Sequence, residues 1–155
     1  MRRRVGLVGM AGGALAVLLA ACGPAGPPLP SDALDHAIAR HIGDPDTCVL
    51  IADAASGRVL YQYGEDFNCT VTLPACDRPG QLSARKALAF ARGDGAREKS
   101  CASNADGSRT VGWSEGAVAS QKRKLIYSAV MEGERALPGE EISARLAQAF
   151  TDAGL

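Results

Sequence analysis

Residues 48–63 read CVLIADAASGRVLYQY. Two short apolar runs flank AASG at residues 54–57, and apolar runs around a Ser-Gly turn are typical of a β-hairpin. The stretch therefore predicts two antiparallel strands, 48–53 and 58–63. The helical and strand patterns on either side of this hairpin decide the fold class.

Apolar side chains recur at helical spacing in three segments of the chain. The first covers residues 32–42, with Ser31 as its N-cap and a Gly-Asp-Pro-Asp segment after its end. The second covers residues 84–92, and Ser83 comes directly before it. The third begins at Pro138, and two glutamates in its first turn suit the helix dipole. We therefore expect three amphipathic helices.

Three further strands are predicted between the second and third helices. Residues 97–102 and 109–114 flank a turn that contains Asn-Ala-Asp-Gly, and residues 125–131 (LIYSAVM) form the most apolar run. Residues 64–81 are predicted to be irregular. The order α-β-β-α-β-β-β-α predicts an α+β fold, with a single antiparallel sheet of about five strands and flanking helices.

The first 21 residues have the pattern of an export signal. Three arginines at positions 2–4 precede an apolar run that is too short for a comfortable membrane span. The run ends in Leu19-Ala20-Ala21-Cys22, which resembles the lipobox of bacterial lipoproteins. That resemblance implies cleavage before Cys22, lipidation of its thiol and attachment to a membrane. The alternatives are a plain secretory peptide that is cut elsewhere and an uncleaved anchor.

Cleavage before Cys22 divides the chain into a signal peptide at 1–21, a Pro/Gly-rich tether at 22–30 and a single domain at 31–155. In the resemblance to Gram-negative lipoproteins, Gly23 rather than Asp after the cysteine favours the outer membrane. We therefore expect a protein on the periplasmic face of the cell envelope. Three of the 17 basic side chains leave with the leader, so 14 remain against 17 acidic ones. Without a basic excess, nucleic acid is not an expected partner.

Four cysteines remain after Cys22, namely Cys48, Cys69, Cys76 and Cys101. An even number in a small exported domain predicts two disulfides, with three connectivities. Cys69–Cys76 together with Cys48–Cys101 is the preferred pairing, because the first closes a short loop and the second joins two distant strands. A metal site is the alternative, but no Cys-x-x-Cys pair is present and both histidines lie elsewhere. We therefore expect no metal and no cofactor.

The segment VLIADAASGRVLYQYG, residues 49–64, resembles the first hairpin of serine β-lactamases and penicillin-binding proteins. Those folds also have a helix before the hairpin, and three strands and a helix at the end. The large helical domain between these elements is missing here, so the resemblance implies a much reduced relative. The element order also resembles that of profilin-like and roadblock-type folds, which are binding modules.

The chemistry of the β-lactamase family needs a Ser-x-x-Lys segment at a helix start, where one helical turn brings the lysine amine beside the serine hydroxyl. Residues 83–86, SARK, have this spacing. The resemblance therefore makes Ser83 a candidate nucleophile and Lys86 a candidate base. The Ser-Asp-Asn and Lys-Thr-Gly partners do not appear in the sequence. Without catalysis, Ser83 is predicted to be the N-cap of the second helix.

A second alignment with the same family uses residues 73–76, LPAC, which resemble the lead-in to the active serine. Asp77 then occupies the position of the serine, and Gly80 that of the lysine. On this alignment the nucleophile is absent.

Other titratable side chains are candidates for a metal or acid–base group. Asp32 and His36 are four residues apart, so they share one face of the first predicted helix, and Asp46 follows that helix. The alternative, which we favour, is a solvated ion pair on the helix surface. His41 lies in the last helical turn, where a histidine suits the helix dipole.

Two further patterns suggest surfaces for binding. The basic cluster Lys122, Arg123 and Lys124 could meet lipid headgroups or lipopolysaccharide, or simply form a charged loop tip. Aromatic side chains on predicted strands could line a groove, although strand aromatics usually pack against helices. These side chains are Tyr61, Tyr63, Trp113 and Tyr127.

The sequence thus favours a lipid-anchored envelope protein with a non-catalytic binding or structural role. Its composition, with 46% hydrophobic and 22% charged residues, fits a globular protein. The alternative is a minimal acyl-serine hydrolase that uses Ser83 and Lys86. A third hypothesis is an accessory subunit, which implies an envelope protein as partner.

Overall fold

The computed structural model describes residues 27–92, 95–120 and 123–155. The predicted signal peptide, Cys22 and the first part of the tether lie outside the described residues, and so does Lys122. None of the helices in those three ranges has the length and hydrophobicity that a membrane span requires. The elements there are, in chain order, α1 (Ser31–Ile42), β1 (Thr47–Asp53), β2 (Val59–Tyr63), α2 (Asp66–Thr70), β3 (Leu73–Pro74), β4 (Gln81–Leu82), α3 (Ala84–Phe90), β5 (Arg97–Ala102), β6 (Thr110–Val118), β7 (Leu125–Gly133) and α4 (Gly139–Asp152).

Five strands form one antiparallel sheet in the order β2-β1-β7-β6-β5. The predicted hairpin is the β1–β2 pair, in which Val49 lies opposite Tyr63. β7 is the central strand, and its residues 125–131 are all buried, as its apolar sequence predicts. Helices flank this sheet, so the α+β fold with a five-stranded antiparallel sheet is confirmed.

Helices cover both faces of the five-stranded sheet. α1 and α4 pack on one face, where Val49 contributes to the core. α3 packs on the other face, where Leu50 and Leu88 lie in a second core. Successive strand residues point to opposite faces. Because both faces are covered, β1 is a continuous apolar run rather than an alternating one.

Three local features differ from the sequence predictions. Residues 64–81 are not wholly irregular, because α2 and the two-stranded sheet β3–β4 occupy part of them. β6 continues to Val118, past its predicted end at residue 114, and it pairs with β7 along its whole length. Ser31 is the first residue of α1 rather than its N-cap. Pro30 takes the N-cap position, and its carbonyl accepts the hydrogen bond from the Leu34 nitrogen.

The two disulfides join Cys48 to Cys69 and Cys76 to Cys101, with Cα–Cα distances of 5.2 and 5.5 Å. Two disulfides are therefore confirmed, but the preferred pairing is wrong. Cys48 lies on β1 and Cys101 on the edge strand β5, with β7 and β6 between them. Three strand spacings amount to about 14 Å, which is too far for a disulfide. The disulfide pairing depends on the order of the strands in the sheet, and the spacing of the cysteines along the sequence does not determine that order.

Candidate functional site

The start of α3 carries the predicted Ser-x-x-Lys segment. Ser83 precedes the helix in an extended conformation, and its hydroxyl accepts a hydrogen bond from the Lys86 backbone nitrogen at 3.4 Å. The Ser83 side chain is buried, whereas Lys86 is exposed. The N-cap prediction for Ser83 is therefore confirmed. The two residues lie one helical turn apart, as their spacing predicts, and the hydroxyl contacts a peptide nitrogen of its own helix.

Hydrogen bonds hold α3 on the sheet and fix its orientation. The buried Ser128 hydroxyl on β7 donates to the Ala84 carbonyl at 2.7 Å. On the exposed side, the Arg85 guanidinium donates to Gln62 at 3.0 Å and to the Asp66 carboxylate at 2.6 Å. The first turn of α3 is thus joined to β7, β2 and α2, so the backbone around Ser83 has little freedom to rearrange.

The residues of the second alignment are positioned by a disulfide. Cys76 bonds to Cys101 on β5 and has a φ of 64°, a backbone conformation that is uncommon for residues other than glycine. The bond holds the loop after β3 against the edge strand, which brings Asp77 over β5. Gly80 closes the same loop, because its carbonyl accepts a hydrogen bond from the Ala75 nitrogen at 3.1 Å.

Asp77 is the centre of a group of charges on this face of β5. Arg78 donates two hydrogen bonds to its carboxylate, at 3.0 and 2.9 Å. Lys99 Nζ and Arg97 Nη1 lie 3.5 and 3.6 Å from Asp77 Oδ2. The hydrogen bonds from Arg78, with the charge of Lys99, lower the pKa of Asp77 to about 2. Asp77 is therefore a carboxylate at any physiological pH.

Glu115 on β6 belongs to the same group and is fully buried. Its Oε1 lies 2.9 Å from Lys99 Nζ, and the Lys99 side chain is only 7% exposed. The Lys99 contact does not have hydrogen-bond geometry, and within the described part of the chain neither Glu115 oxygen accepts a hydrogen bond. The ion pair with Lys99 is therefore the contact that compensates this buried carboxylate. We call Asp77, Arg78, Arg97, Lys99 and Glu115 together the Asp77 cluster.

Aromatic rings border the Asp77 cluster. The guanidinium carbons of Arg78 and Arg97 lie 4.4 and 5.7 Å from the centroid of the Phe90 ring at the end of α3, within the range of a cation–π contact. Trp113 is fully buried beside Lys99 and donates through Nε1 to the Pro74 carbonyl at 2.9 Å. These contacts join α3, the loop after β3 and the sheet.

Arg78, Arg97 and Lys99 are not among the candidates that the sequence predicts, although the sequence contains a signal for Arg97 and Lys99. Arg97, Lys99 and Cys101 alternate along β5, so they share one face of the strand. The cysteine marks that face as one that lies against protein rather than against water. Glu115 gives no such signal, because it lies just past residue 114, where the predicted strand ends. The chemistry of the assembled cluster is ion pairing, which locks the loop after β3 onto the sheet.

The aromatic side chains that could line a groove are instead packed and bonded individually. The Tyr61 hydroxyl donates to Asp35 at 2.6 Å, and burial together with this hydrogen bond raises the pKa of Tyr61. The Tyr127 hydroxyl lies 2.8 Å from Ser114 Oγ in the core under α4. Tyr63 is half-buried against the same core. They follow the usual behaviour of strand aromatics, which pack against helices.

The histidine and aspartate candidates are not brought together. Asp32 and His36 are exposed on α1, and Asp46 lies near Arg109, with 3.8 Å between the charged atoms. Within the described ranges, no group of three His, Cys, Asp or Glu side chains could hold a metal ion. His41 lies in the last turn of α1, as predicted, and its Nε2 is 3.0 Å from Asp152 of α4. That contact joins the two helices.

Two clefts lie at the end of the sheet where β6 ends and β7 begins. One, of about 230 Å³, lies between α4 and β6 and is lined by small side chains, with Tyr127 and Phe150. The other, of about 320 Å³, lies where Pro27 and Pro28 of the predicted tether approach Leu155. Arg123, from the predicted basic cluster, lines the second cleft and donates to the Pro27 carbonyl at 3.0 Å.

Comparison with known proteins gives no match. No protein-family model, no curated protein and no solved structure matches this chain.

Proposed function

We propose that this chain is a lipid-anchored protein of the bacterial cell envelope, on the periplasmic face and with the outer membrane favoured. The two disulfides indicate an oxidising compartment outside the cytoplasm, which supports this location. The lipobox-like segment that ends at Cys22 supports the anchor. Its role there is non-catalytic, as a binding or structural module.

The observation that carries the non-catalytic role is the use of the Ser83 hydroxyl. Ser83 is buried, and its oxygen accepts a hydrogen bond from a peptide nitrogen of α3. A nucleophilic serine needs a hydroxyl that a substrate can reach and a base within about 2.6–3.2 Å of it. In this arrangement the Ser83 hydroxyl stabilises the start of a helix, a contribution of about 1 kcal/mol.

A labelling experiment with a fluorescent penicillin and a fluorophosphonate tests this role. The variants are Ser83→Ala, which removes the hydroxyl and the cap, and Ser83→Asp, which keeps a capping oxygen but no nucleophile. We expect no covalent adduct with the wild-type protein or with either variant. An adduct on the wild-type protein that is lost in both variants would contradict the proposal.

The second candidate is the acyl-serine hydrolase, with Ser83 as nucleophile and Lys86 as base. It is favoured by one observation, namely that the Ser-x-x-Lys segment occupies the first turn of a helix packed on an antiparallel sheet. The hydroxyl would have to leave its cap and gain the proton-accepting amine of Lys86. An adduct that is lost in Lys86→Met as well as in Ser83→Asp would support this candidate.

Mass spectrometry of the protein isolated from bacterial membranes tests the anchor. We expect a chain that begins at Cys22 and carries fatty acyl groups, and a Cys22→Ala variant without them.

Crosslinking of intact membranes, followed by identification of the crosslinked peptides, tests the accessory-subunit role. A reproducible crosslink to one envelope protein would define the partner.

A further inference from the structure

We infer that one end of this domain docks on the anionic headgroups of the membrane in which the lipid anchor is inserted. This end, which we call the tether end, is formed by residues 27–29, the β1–β2 turn, the described residues 119–120 and 123–124 of the loop before β7, and the end of α3. The inference deepens the proposed function, because it rests on an anchor at Cys22.

Hydrogen bonds show that these four segments meet. Arg123 Nη1 donates to the Pro27 carbonyl at 3.0 Å, which joins the loop before β7 to the tether. The Ala54 nitrogen donates to the Lys124 carbonyl at 3.0 Å, which joins the same loop to the β1–β2 turn. Arg92, after α3, donates through Nε to the Ala54 carbonyl at 3.1 Å, and through Nη2 to the next carbonyl. The tether thus leaves the domain beside the segments that contain Arg92, Arg123 and Lys124.

The charge of the tether end is positive. Its cations are Arg58, Arg92, Arg123 and Lys124, and all but Arg123 are exposed. The partners of Arg92 are carbonyl oxygens, which leave its charge uncompensated. Asp53, 3.9 Å from Arg123, and the exposed Asp32 in the first turn of α1, two residues after the predicted tether ends, are the anions described at or beside this end. Four cations therefore stand against two anions. Asp94 and Lys122, outside the described residues, have formal charges that cancel.

The opposite end of the sheet is negative. It contains the loop before β1, the residue after Gly64, the β5–β6 turn and the end of β7. Six carboxylates and two arginines lie in these segments of the described chain. They are Asp44, Asp46, Glu65, Asp106, Glu132 and Glu134, with Arg109 and Arg135. The domain therefore has an electric dipole along its strands, and the tether leaves from the positive end.

Distance decides which end the membrane can attract. Pro27 is five Cα–Cα steps along the chain from Cys22, and an extended chain spans at most about 18 Å over that length. β6 and β7 each have nine residues, so the acidic end lies about 30 Å further away. That distance is nearly four Debye lengths of about 8 Å at physiological ionic strength. The membrane therefore attracts the basic end strongly and repels the acidic end only weakly.

The test uses the lipidated protein, purified from membranes and inserted into vesicles. The vesicles are made of phosphatidylcholine alone, or of phosphatidylcholine mixed with phosphatidylglycerol. Hydrogen–deuterium exchange measures the protection of the backbone in residues 54–58 and 119–125. We expect exchange in both segments to be several-fold slower on the anionic vesicles, and this protection to be lost at high salt.

A pair of double variants provides the matched comparison. Arg58→Gln/Lys124→Gln removes two exposed charges of the tether end that make no side-chain hydrogen bond in the described structure, so folding is preserved. Lys86→Gln/Arg135→Gln removes two exposed charges elsewhere. Each Lys or Arg near an anionic bilayer strengthens attachment about fivefold. We expect the first variant to lose most of the protection and the second to keep it.

Equal exchange on neutral and anionic vesicles would overturn the inference, and so would equal protection of the two double variants. Failure of the anchor is recognised separately, by a mass without acyl groups. In that case the protein as isolated is sedimented with the same two kinds of vesicle. Binding to the anionic vesicles alone would support the tether end without the anchor, and binding to neither would refute it.

Discussion

Replacement of Lys99 by methionine tests the account of the Asp77 cluster most directly. Methionine keeps much of the length of the lysine side chain but removes its charge, and so leaves the fully buried Glu115 without its ion-pair partner. The Nζ–Oε1 distance of 2.9 Å corresponds to an attraction of about 6 kcal/mol at an effective dielectric constant of about 20. Desolvation of the two ions offsets most of this gain, so the intact pair contributes little net stability.

Breaking the ion pair lowers the free energy of unfolding by much more than the intact pair contributes to it. The reason is that the Glu115 carboxylate then stays buried without a partner. We expect Lys99→Met to lower the free energy of unfolding by about 3–5 kcal/mol. For a domain of this size, that corresponds to a fall in Tm of about 10–20 °C. Urea unfolding followed by circular dichroism measures the first quantity, and calorimetry the second.

Two further variants make the expectation specific to the ion pair. Lys99→Met/Glu115→Leu replaces both charges by apolar groups, and we expect it to recover most of the lost stability. Lys86→Met changes an exposed lysine on α3, and we expect an effect within about 0.5 kcal/mol. A loss below about 1 kcal/mol in Lys99→Met would refute the reasoning. The reasoning would also be refuted if Lys99→Met/Glu115→Leu were as unstable as Lys99→Met.

Three other predictions follow from the packing and the charges. Cys48→Ser/Cys69→Ser and Cys76→Ser/Cys101→Ser each open a loop of 21 or 25 residues, so urea titration should show a loss of about 3 kcal/mol for each pair. A Cβ at Gly112 would lie 2.0 Å from the Leu137 carbonyl oxygen, whereas one at Gly116 would meet ordinary contacts at 3.5 Å, so Gly112→Ala should lose at least about 2 kcal/mol more than Gly116→Ala. The pKa of Asp77 is about 2 in the folded protein and about 4 when unfolded, so its contribution is present above about pH 5 and is lost as the pH falls towards 2. Asp77→Asn should therefore flatten the dependence of Tm on pH in this acidic range.

The helices and strands could be predicted largely from local patterns. Spacing at Leu34, Ile38 and Ile42 locates α1, and all three side chains are buried. The Ser-Gly turn locates the β1–β2 hairpin. These features are local, because a periodicity of 3.6 or 2 shows which side of an element faces the core. The end of β6 was missed because Glu115 and Gly116 resemble a strand terminus, although pairing with β7 keeps both in the sheet.

The disulfide pairing and the candidate site could not be predicted in the same way. Both depend on which strands are neighbours, and no local pattern in this chain records the order β2-β1-β7-β6-β5. Ser83 shows the opposite case. Its N-cap role follows from residue type and position alone, and the structure has that hydrogen bond. The Ser-x-x-Lys spacing is equally local, so it predicts a helix start without specifying a catalytic site.

The position of the Asp77 cluster on β5 explains why a buried ion pair with little net stability is present at all. β5 is an edge strand, and an exposed edge can pair with a strand of another molecule. A loop that covers an edge strand opposes such pairing. Lys99 is already buried and paired with Glu115, so its charge does not itself protect the edge. The loop after β3 lies against β5, where the Cys76–Cys101 disulfide and the contact of Asp77 with Lys99 hold it. The ion pair therefore positions the lysine amine that Asp77 contacts. The Lys99→Met/Glu115→Leu variant should regain stability but hold this loop less firmly, which faster hydrogen–deuterium exchange of residues 75–80 would show.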